Sequence, residues 1–302
     1  MQTKQQIQHL LASAGARPNK RLGQHFLIDL NLMRLLVDSA HIKNSDIVLE
    51  VGCGTGSLTE ALADKAGMVI AVECDKALAK IAKTQLVPKG LAKAKNARII
   101  NTDILETKST IRRTVTKAIQ LCRKKYTGRI LLVANLPYSV AAPVMLNLIV
   151  MVDGMYVTVQ KEVAQRITAE PGEKHYGPLS IFLAATGDVK MLRVLKPTVF
   201  WPRPRVDSAM LSFVRRKAKA GRIKNMGLFN NIVRLFMQHR RKMLKTSTRF
   251  SIHDVNWPEI FEKCSIDPTS RPDQLSPENY IAIANLCHRY LCGKQVNQKQ
   301  GL

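Results

Sequence analysis

An apolar, β-branched run that ends in three closely spaced glycines constrains the fold more than any other part of the sequence. The run covers residues 47–51, the glycines follow in Gly52-Cys53-Gly54-Thr55-Gly56, and a helical pattern begins at Ser57. Glycine lets a strand turn sharply into a helix and lets a ligand approach the backbone closely, because it has no side chain. The sequence therefore predicts a strand–turn–helix unit whose turn can face a ligand.

Short β-branched runs alternate with helical patterns through the first two thirds of the chain. This rhythm is typical of an α/β fold in which a doubly wound, mostly parallel sheet carries helices on both faces. The predicted strands cover residues 47–51, 69–72, 98–101, 130–134, 156–160, 189–195 and 209–214.

Only helical patterns follow the last of these strands, so we place a domain boundary there. Residues 1–215 are predicted to form the α/β domain, with an N-terminal helical extension over residues 1–27. Residues 216–302 are predicted to form a small all-α domain, in which one long helix covers residues 228–245.

The charge balance indicates a polyanionic partner. Lys and Arg number 47 against 22 Asp and Glu, a formal net charge of +25, which makes nucleic acid the first candidate. A membrane is a poorer one, because the longest apolar run, residues 144–152, is too short to span a bilayer. The N-terminal residues lack a secretory pattern, which favours a cytoplasmic protein. The six cysteines show no zinc-type spacing, so we expect no metal site.

The glycine spacing discriminates between ligands. A dinucleotide-binding turn reads G-x-G-x-x-G, whereas residues 52–56 read G-x-G-x-G and Ser57 follows. This turn resembles the S-adenosylmethionine loop of class I methyltransferases, which would place Gly52 and Gly54 beside the methyl donor. We call residues 52–56 the donor turn; a tight turn without a ligand is the alternative.

Two acidic residues at strand ends extend this hypothesis. Glu73 ends the second predicted strand and could accept hydrogen bonds from both ribose hydroxyls of the donor. Asp103 follows the third and could accept from the adenine amino group. Alternatively, Glu73 is solvated or pairs with Lys76, and Asp103 caps a helix. Because the carboxyl ends of parallel strands share one edge, we expect both acids to meet the donor turn in one crevice.

The catalytic turn, Asn135-Leu136-Pro137-Tyr138, follows the fourth predicted strand and is the most specific motif in the chain. An amino nitrogen conjugated to a base ring is a poor nucleophile unless hydrogen-bond acceptors draw it toward tetrahedral geometry. The side-chain oxygen of Asn135 and the carbonyl of Leu136 could accept its two N–H bonds. Pro137 would fix the turn, and Tyr138 would stack on an extruded base. An ordinary Asn-x-Pro turn with a packed tyrosine is the alternative.

Further motifs accompany these two turns in a fixed order. The sequence resembles the ribosomal RNA small-subunit adenine dimethyltransferase family over about residues 5–290. The resemblance implies S-adenosylmethionine-dependent N6,N6-dimethylation of two adjacent adenosines in the 3′-terminal hairpin loop of 16S rRNA, during ribosome biogenesis. It implies small-subunit rRNA or an immature 30S particle as the partner. We also expect a monomeric enzyme, and the basic clusters at residues 215–224 and 238–245 predict phosphate contacts from the helical domain. The further motifs cover residues 20–27, 160–166, 176–180, 202–208 and 238–242.

By position in the family, His25 and Leu27 would flank the donor, and Asn135 would touch it as well. Two residues depart from the family pattern. The family often has Asn where His25 stands, and Ser139 replaces the Asn that commonly follows the catalytic tyrosine. His25 could instead be a structural surface residue.

Two rival functions are open. Methyltransferases of the erythromycin-resistance type modify an adenine of 23S rRNA, and their catalytic turn usually reads Asn-Ile-Pro-Tyr, so Leu136 favours the small-subunit family. A non-catalytic nucleic-acid-binding relative is the other rival, and the presence of Gly52, Glu73, Asp103 and Asn135 together speaks against it.

A basic segment precedes the fourth strand. Residues 107–128 hold seven Lys and Arg and no acidic residue, and the segment is longer than is usual for the family. We hypothesise an added basic helix that contacts the RNA backbone; a solvated helix face without a partner is the alternative.

Overall fold

Strands and helices alternate through most of the computed structural model, which describes residues 1–86, 96–250 and 255–299. The strands are β1 (Phe26–Leu27), β2 (Ile47–Val51), β3 (Met68–Glu73), β4 (Ala97–Asn101), β5 (Leu105–Thr107), β6 (Thr110–Ile111), β7 (Ile130–Asn135), β8 (Gly154–Gln160), β9 (Gly187–Leu195), β10 (Phe200–Trp201) and β11 (Ser208–Arg215). The α-helices are α1 (Lys4–Ser13), α2 (Leu30–Ser39), α3 (Ser57–Ala63), α4 (Lys76–Leu86), α5 (Arg113–Arg123), α6 (Ala141–Leu148), α7 (Lys161–Thr168), α8 (Pro178–Thr186), α9 (Lys217–Ala220), α10 (Met226–Gln238), α11 (Leu244–Ser247), α12 (Trp257–Lys263) and α13 (Pro277–Lys299).

Seven strands form the main sheet, in the order β4-β3-β2-β7-β8-β11-β9. Strands β4, β3, β2, β7 and β8 are parallel, and β11 pairs with β8 in the antiparallel sense. Strand β2 is buried along its whole length, and β3 and β7 are buried at all but one residue each. Burial on both sides explains why these strands read as continuous apolar runs. The predicted α/β fold with a mostly parallel sheet is confirmed.

All seven predicted strands are present. Strand β2 has the predicted bounds, and the other six are one or two residues longer than predicted. The exact first and last residues of a strand depend on backbone pairing with the neighbouring strand, which a hydrophobic pattern does not encode.

The N-terminal helix α1 packs beside the donor turn. The Thr3 hydroxyl caps it, and Ile7 and Leu11 are buried in a small cluster with Leu78 of α4. Ahead of the helix, the buried side-chain amide of Gln2 donates to the carbonyl of Thr55 at 3.2 Å and accepts from the hydroxyl of that residue at 2.6 Å. The N-terminal extension is therefore anchored on the donor turn itself.

Helix α5 lies in the basic segment, but it is not an addition to the fold. It connects β4 to β7 and packs against β2 and β3, with Val115, Ala118 and Ile119 buried. A crossover of this kind is required between parallel strands. The prediction of an added helix was therefore wrong, although its basic exposed face is present.

The chain divides into two units in a way that differs from the predicted boundary. The first unit comprises Met1–Ala164 and Lys190–Val214, and the second comprises Gln165–Val189 and Arg215–Leu302. Residues 165–189, predicted to belong to the α/β domain, thus fall in the second unit. The reason lies in α8, whose residues are buried almost all round and which packs against α10 and α13.

The second unit is built around aromatic side chains. The rings of Phe182 and Phe229 meet edge to face at 5.2 Å, and those of Phe236 and Trp257 at 5.6 Å. The helix predicted over residues 228–245 ends at Gln238, and the short α11 follows as a separate element. No helix in the described parts of the chain is long and apolar enough to cross a membrane.

Candidate active site

The donor turn has the strained backbone that its glycines predict. Gly52, Gly54 and Gly56 have φ values of +78°, +57° and +86°, in the left-handed region that side chains disfavour. A Cβ atom on Gly52 would lie 2.9 Å from Cγ of Pro137, and one on Gly54 would lie 2.8 Å from Cε1 of Phe26. Glycine is therefore required at residue 52 for conformation and also because the donor turn touches the catalytic turn.

Glu73 is buried and lies beside the donor turn. One carboxylate oxygen accepts from the N–H of Gly54 and the other from the N–H of Asp75, each at 2.9 Å. Burial raises the pKa of the Glu73 carboxyl, and the two backbone N–H groups oppose that rise. The alternative of a solvated side chain is excluded. Oε2, which accepts from Gly54, retains acceptor capacity for a ligand hydroxyl, whereas Oε1 also accepts a weak hydrogen bond from the Cys74 thiol at 3.7 Å.

Asp103 is exposed and does not cap a helix. Its carboxylate accepts from the N–H of Leu105 at 2.9 Å, which stabilises the chain as it leaves β4. Asn101, at the end of β4, donates from its side-chain amide to the carbonyl of Glu73 at 2.8 Å. The ends of β3 and β4 are thereby tied together, with both acids on one cavity.

Glu50 is a further acidic residue of this cavity, and the sequence reasoning missed its role. It is 2% exposed and accepts a hydrogen bond from the Thr59 hydroxyl at 2.6 Å. Burial raises the pKa of the Glu50 carboxyl to about 8; the bond from Thr59 opposes this, and the nearby Glu73 carboxylate adds to it. The only signal in the sequence was its place two residues before the donor turn.

We expect replacement of Glu50 by glutamine to make the protein more stable at alkaline pH. The pKa of the carboxyl is 4.5 when unperturbed and about 8 in the folded protein, so folding favours the protonated form. The stability contributed by this group is complete below about pH 4.5 and is lost as pH rises through about 8. Glutamine keeps an acceptor for Thr59 without a charge. In thermal unfolding without donor, the unfolding temperature of E50Q should exceed that of the wild type by an amount that increases from pH 5 to pH 9.

The exposed Glu262 supplies the control, because E262Q removes a solvated carboxylate. Its unfolding temperature should follow that of the wild type across the range. If the difference in unfolding temperature between E50Q and the wild type is the same from pH 5 to pH 9, the pKa of Glu50 is not raised in the folded protein.

The side chain of Asn135 is held at both ends. Its amide nitrogen donates to the carbonyl of His25 at 2.8 Å, and its oxygen accepts a hydrogen bond from the hydroxyl of Thr158. The next N–H of the catalytic turn, on Leu136, donates to the backbone carbonyl of Thr158 at 3.1 Å. An amide oxygen has two acceptor sites, so one remains on Asn135 for a substrate N–H.

Tyr138 is also fixed. Its hydroxyl lies 2.6 Å from the hydroxyl of the buried Ser208, and its ring stacks on that of His25 with centroids 5.4 Å apart. Nδ1 of His25 lies 2.6 Å from the carbonyl oxygen of Pro202, which can only accept, so Nδ1 carries the proton. His25 is half-buried rather than a surface residue. Ser139, the departure in this turn, is exposed at the cavity.

All the predicted site residues line one cavity of the first unit. The ten are His25, Leu27, Gly52, Gly54, Glu73, Asp103, Asn135, Leu136, Pro137 and Tyr138.

Comparison with known proteins assigns the family. The family model "Ribosomal RNA adenine dimethylase" matches residues 15–289. A ribosomal RNA small subunit methyltransferase A from Geobacillus sp. is 34% identical over 292 residues, which cover 93% of this chain and 96% of the relative. A probable enzyme of the same name from Methanopyrus kandleri is 31% identical over 293 residues, which cover 94% of this chain and 97% of the relative. The chain belongs to the ribosomal RNA adenine dimethylase family.

Solved structures show the fold that this dimethylase shares. A dimethyladenosine transferase from Plasmodium falciparum superposes with a TM-score of 0.68 at 22% identity, covering 87% of this chain and 97% of that one. A 23S rRNA methyltransferase superposes with a TM-score of 0.60 at 19% identity, and the match covers 86% of this chain and 98% of that one. The class I methyltransferase fold is thereby confirmed. The chain is an rRNA adenine dimethyltransferase whose methyl donor is S-adenosylmethionine.

The cavity of the dimethylase suits this donor. At Gly52 and Gly54 the side chains of Pro137 and Phe26 pack against the turn, and the turn itself lines the cavity. Glu73 and Asp103 line the same cavity and can complement a ligand that carries a positive sulfonium group, whereas the raised pKa of Glu50 leaves that carboxyl largely protonated at neutral pH.

Proposed function

We propose that the enzyme dimethylates N6 of two adjacent adenosines in the 3′-terminal hairpin loop of 16S rRNA, in small-subunit rRNA or an immature 30S particle. The observation that carries this proposal is the contact between the catalytic turn and the donor turn, at Pro137 and Gly52, beside the buried Glu73. The names of the curated relatives described above support the small subunit over 23S rRNA. That the enzyme is monomeric, cytoplasmic and free of metal stays a prediction.

The residues of the catalytic turn would prepare the amino nitrogen for attack. The free acceptor site of Asn135 and the carbonyl of Leu136 would accept its two N–H bonds, and Tyr138 would hold the base by stacking. S-adenosylmethionine supplies an electrophilic methyl group: the new N–C bond forms as the C–S bond breaks, its electron pair stays on sulfur, and a proton leaves N6 to solvent. Positioning supplies most of the rate, so no strong base is required.

On the donor side, we propose that Glu73 binds the ribose hydroxyls and that Asp103 binds the adenine amino group. Gly52 and Gly54 would let the backbone approach the donor, while His25 and Leu27 would flank it. The shared cavity of these residues supports the assignment.

The decisive experiment supplies labelled donor to 30S particles from cells that lack this modification. We expect label on N6 of adenosine in 16S rRNA only, mapped to the 3′-terminal hairpin. Purified 50S particles in the same assay test the rival function. Label confined to 23S rRNA, or no label on either particle, would overturn the proposal.

We also propose that α5 contacts the RNA backbone. Arg113, Lys117 and Lys124 are exposed at intervals that place them along one side of this helix. Arg112 is different: its guanidinium donates to the backbone carbonyl of Leu105 at 3.2 Å, so it supports the fold.

The double variant R113E/K117E is expected to weaken RNA binding by about tenfold. The slope of the logarithm of its RNA-binding constant against the logarithm of the salt concentration should become shallower by about 0.7 to 0.9 for each phosphate that the variant no longer neutralises. Reversal of the same charge at the exposed Lys80 and Lys83 of α4 is the control and should have little effect. If the two double variants bind RNA alike at every salt concentration, the exposed face of α5 has no RNA partner.

A further inference from the structure

We propose that Thr158 is a positioning residue for methyl transfer, which holds the amide of Asn135 with its oxygen available to the substrate. The inference rests on the proposed role of Asn135 as an acceptor. Thr158 lies on β8 and belongs to none of the motifs found in the sequence.

The strand register places Thr158 where it can act on the catalytic turn. Strands β7 and β8 are parallel, and Asn135 lies directly opposite Thr158 in their pairing. Thr158 is 0% exposed. Its hydroxyl donates to Oδ1 of Asn135, and its carbonyl accepts from the N–H of Leu136. One residue therefore restrains the side-chain amide of Asn135, which carries one substrate acceptor, and the backbone N–H of Leu136, the residue whose carbonyl is the other acceptor.

An asparagine amide has two ends of nearly equal size but opposite hydrogen-bonding character. Rotation by 180° about its last bond would exchange the acceptor for a donor, which would repel a substrate N–H. Two contacts oppose that rotation. The carbonyl of His25 can only accept, so it holds the NH₂ end, while the hydroxyl of Thr158 donates to the oxygen end. Loss of either contact should increase the population of the wrong orientation.

A purely structural role for this hydroxyl gives different expectations. A buried hydroxyl needs a partner, and under this alternative Asn135 serves Thr158 rather than the reverse. In that case a substitution would lower stability, and substrate and donor binding would weaken together with the rate. A positioning role predicts a lower kcat with unchanged donor affinity, because the contact to the His25 carbonyl survives.

The test replaces Thr158 with valine, which keeps the shape and removes the hydroxyl, and with serine, which keeps the hydroxyl. T158V is expected to lower kcat about tenfold, the effect of one hydrogen bond. Its donor Kd and its KM for 30S particles should stay within about twofold of the wild type. T158S should recover most of kcat. T186V is the control, since the buried hydroxyl of Thr186 donates within its own helix to the carbonyl of Phe182.

The outcomes separate this inference from the proposed function. Wild-type enzyme that fails to form N6-methylated adenosine would refute the function itself. If the wild type is active, two results would refute the role of Thr158. One is a kcat of T158V equal to that of the wild type, and the other is a kcat of T158S as low as that of T158V. A T158V variant that loses donor affinity and thermal stability in proportion to its rate would also refute it, and would assign Thr158 to the fold.

Discussion

Replacement of Asn135 by alanine is expected to lower the rate of methyl transfer by about 10²- to 10³-fold, the usual cost of removing one preorganised group that binds the reacting centre. The variant loses the acceptor for one N–H of the target amine, while Leu136 and Tyr138 stay in place. Single-turnover assays with 30S particles and excess enzyme measure the chemical step directly. The unfolding temperature should also fall, because the variant leaves the buried hydroxyl of Thr158 without its acceptor, so the assays are run well below that temperature.

The control for this variant is Asn31→Ala. Asn31 is exposed on α2, where its side chain accepts from the guanidinium of Arg34. N31A should retain the wild-type rate. A rate for N135A within about threefold of the wild type would show that the catalytic turn does not bind the amine through this residue.

Replacement of Glu73 by glutamine is expected to weaken donor binding by about 100-fold. The charged carboxylate accepts from two backbone N–H groups, and hydrogen bonds to a charged acceptor contribute about 1.5–3 kcal/mol each. A glutamine amide must turn its NH₂ end toward one of those N–H groups, so one donor loses its partner and the donor turn is distorted. Calorimetric titration with S-adenosylmethionine measures the change.

The variant D64N is a matched control for E73Q. Asp64 is an exposed acid at the end of α3, so D64N removes the same charge without touching the cavity. It should bind donor normally. Donor binding by E73Q at wild-type affinity would remove Glu73 from the donor site.

The parts of the site that the sequence could predict are those with a local signature. A glycine turn after a buried strand, an acid at a strand end and a polar turn with proline each follow from short-range chemistry, and parallel strands bring their carboxyl ends to one edge. Glu73 and Asn135 were therefore found without knowledge of the strand order. The resemblance to a family then supplied the substrate.

The supporting residues could not be found in this way. Thr158 and Ser208 contact the catalytic turn only because β8 lies between β7 and β11, and an ordinary strand threonine or serine carries no mark of such a contact. Glu50 was visible in the motif, but its burial depends on the helix that supplies Thr59. These contacts are tertiary, so they required the structure.

The larger errors have the same origin. The chain leaves the first unit after Ala164, within α7, and the nearest glycine or proline is Pro171, so nothing local marks the change. The helix predicted through residue 245 meets no proline or glycine, yet α10 ends at Gln238. The basic segment was predicted to be an insertion because it is longer than is usual for the family, but the contacts of α5 with β2 and β3 make it an ordinary crossover helix.

The contact between Gly52 and Pro137 limits how an enzyme of this design can diversify. A backbone turn and a proline ring have no side-chain rotamers with which to adjust, so the separation between the two substrates is set by the rigid framework of the sheet. A mutation at Gly52 or Pro137 would disturb methyl transfer itself, so a change of the methylated RNA site cannot begin at this contact. Divergence of target choice among enzymes built in this way must therefore begin with the surfaces that hold the rest of the RNA, while the reacting centre stays constant.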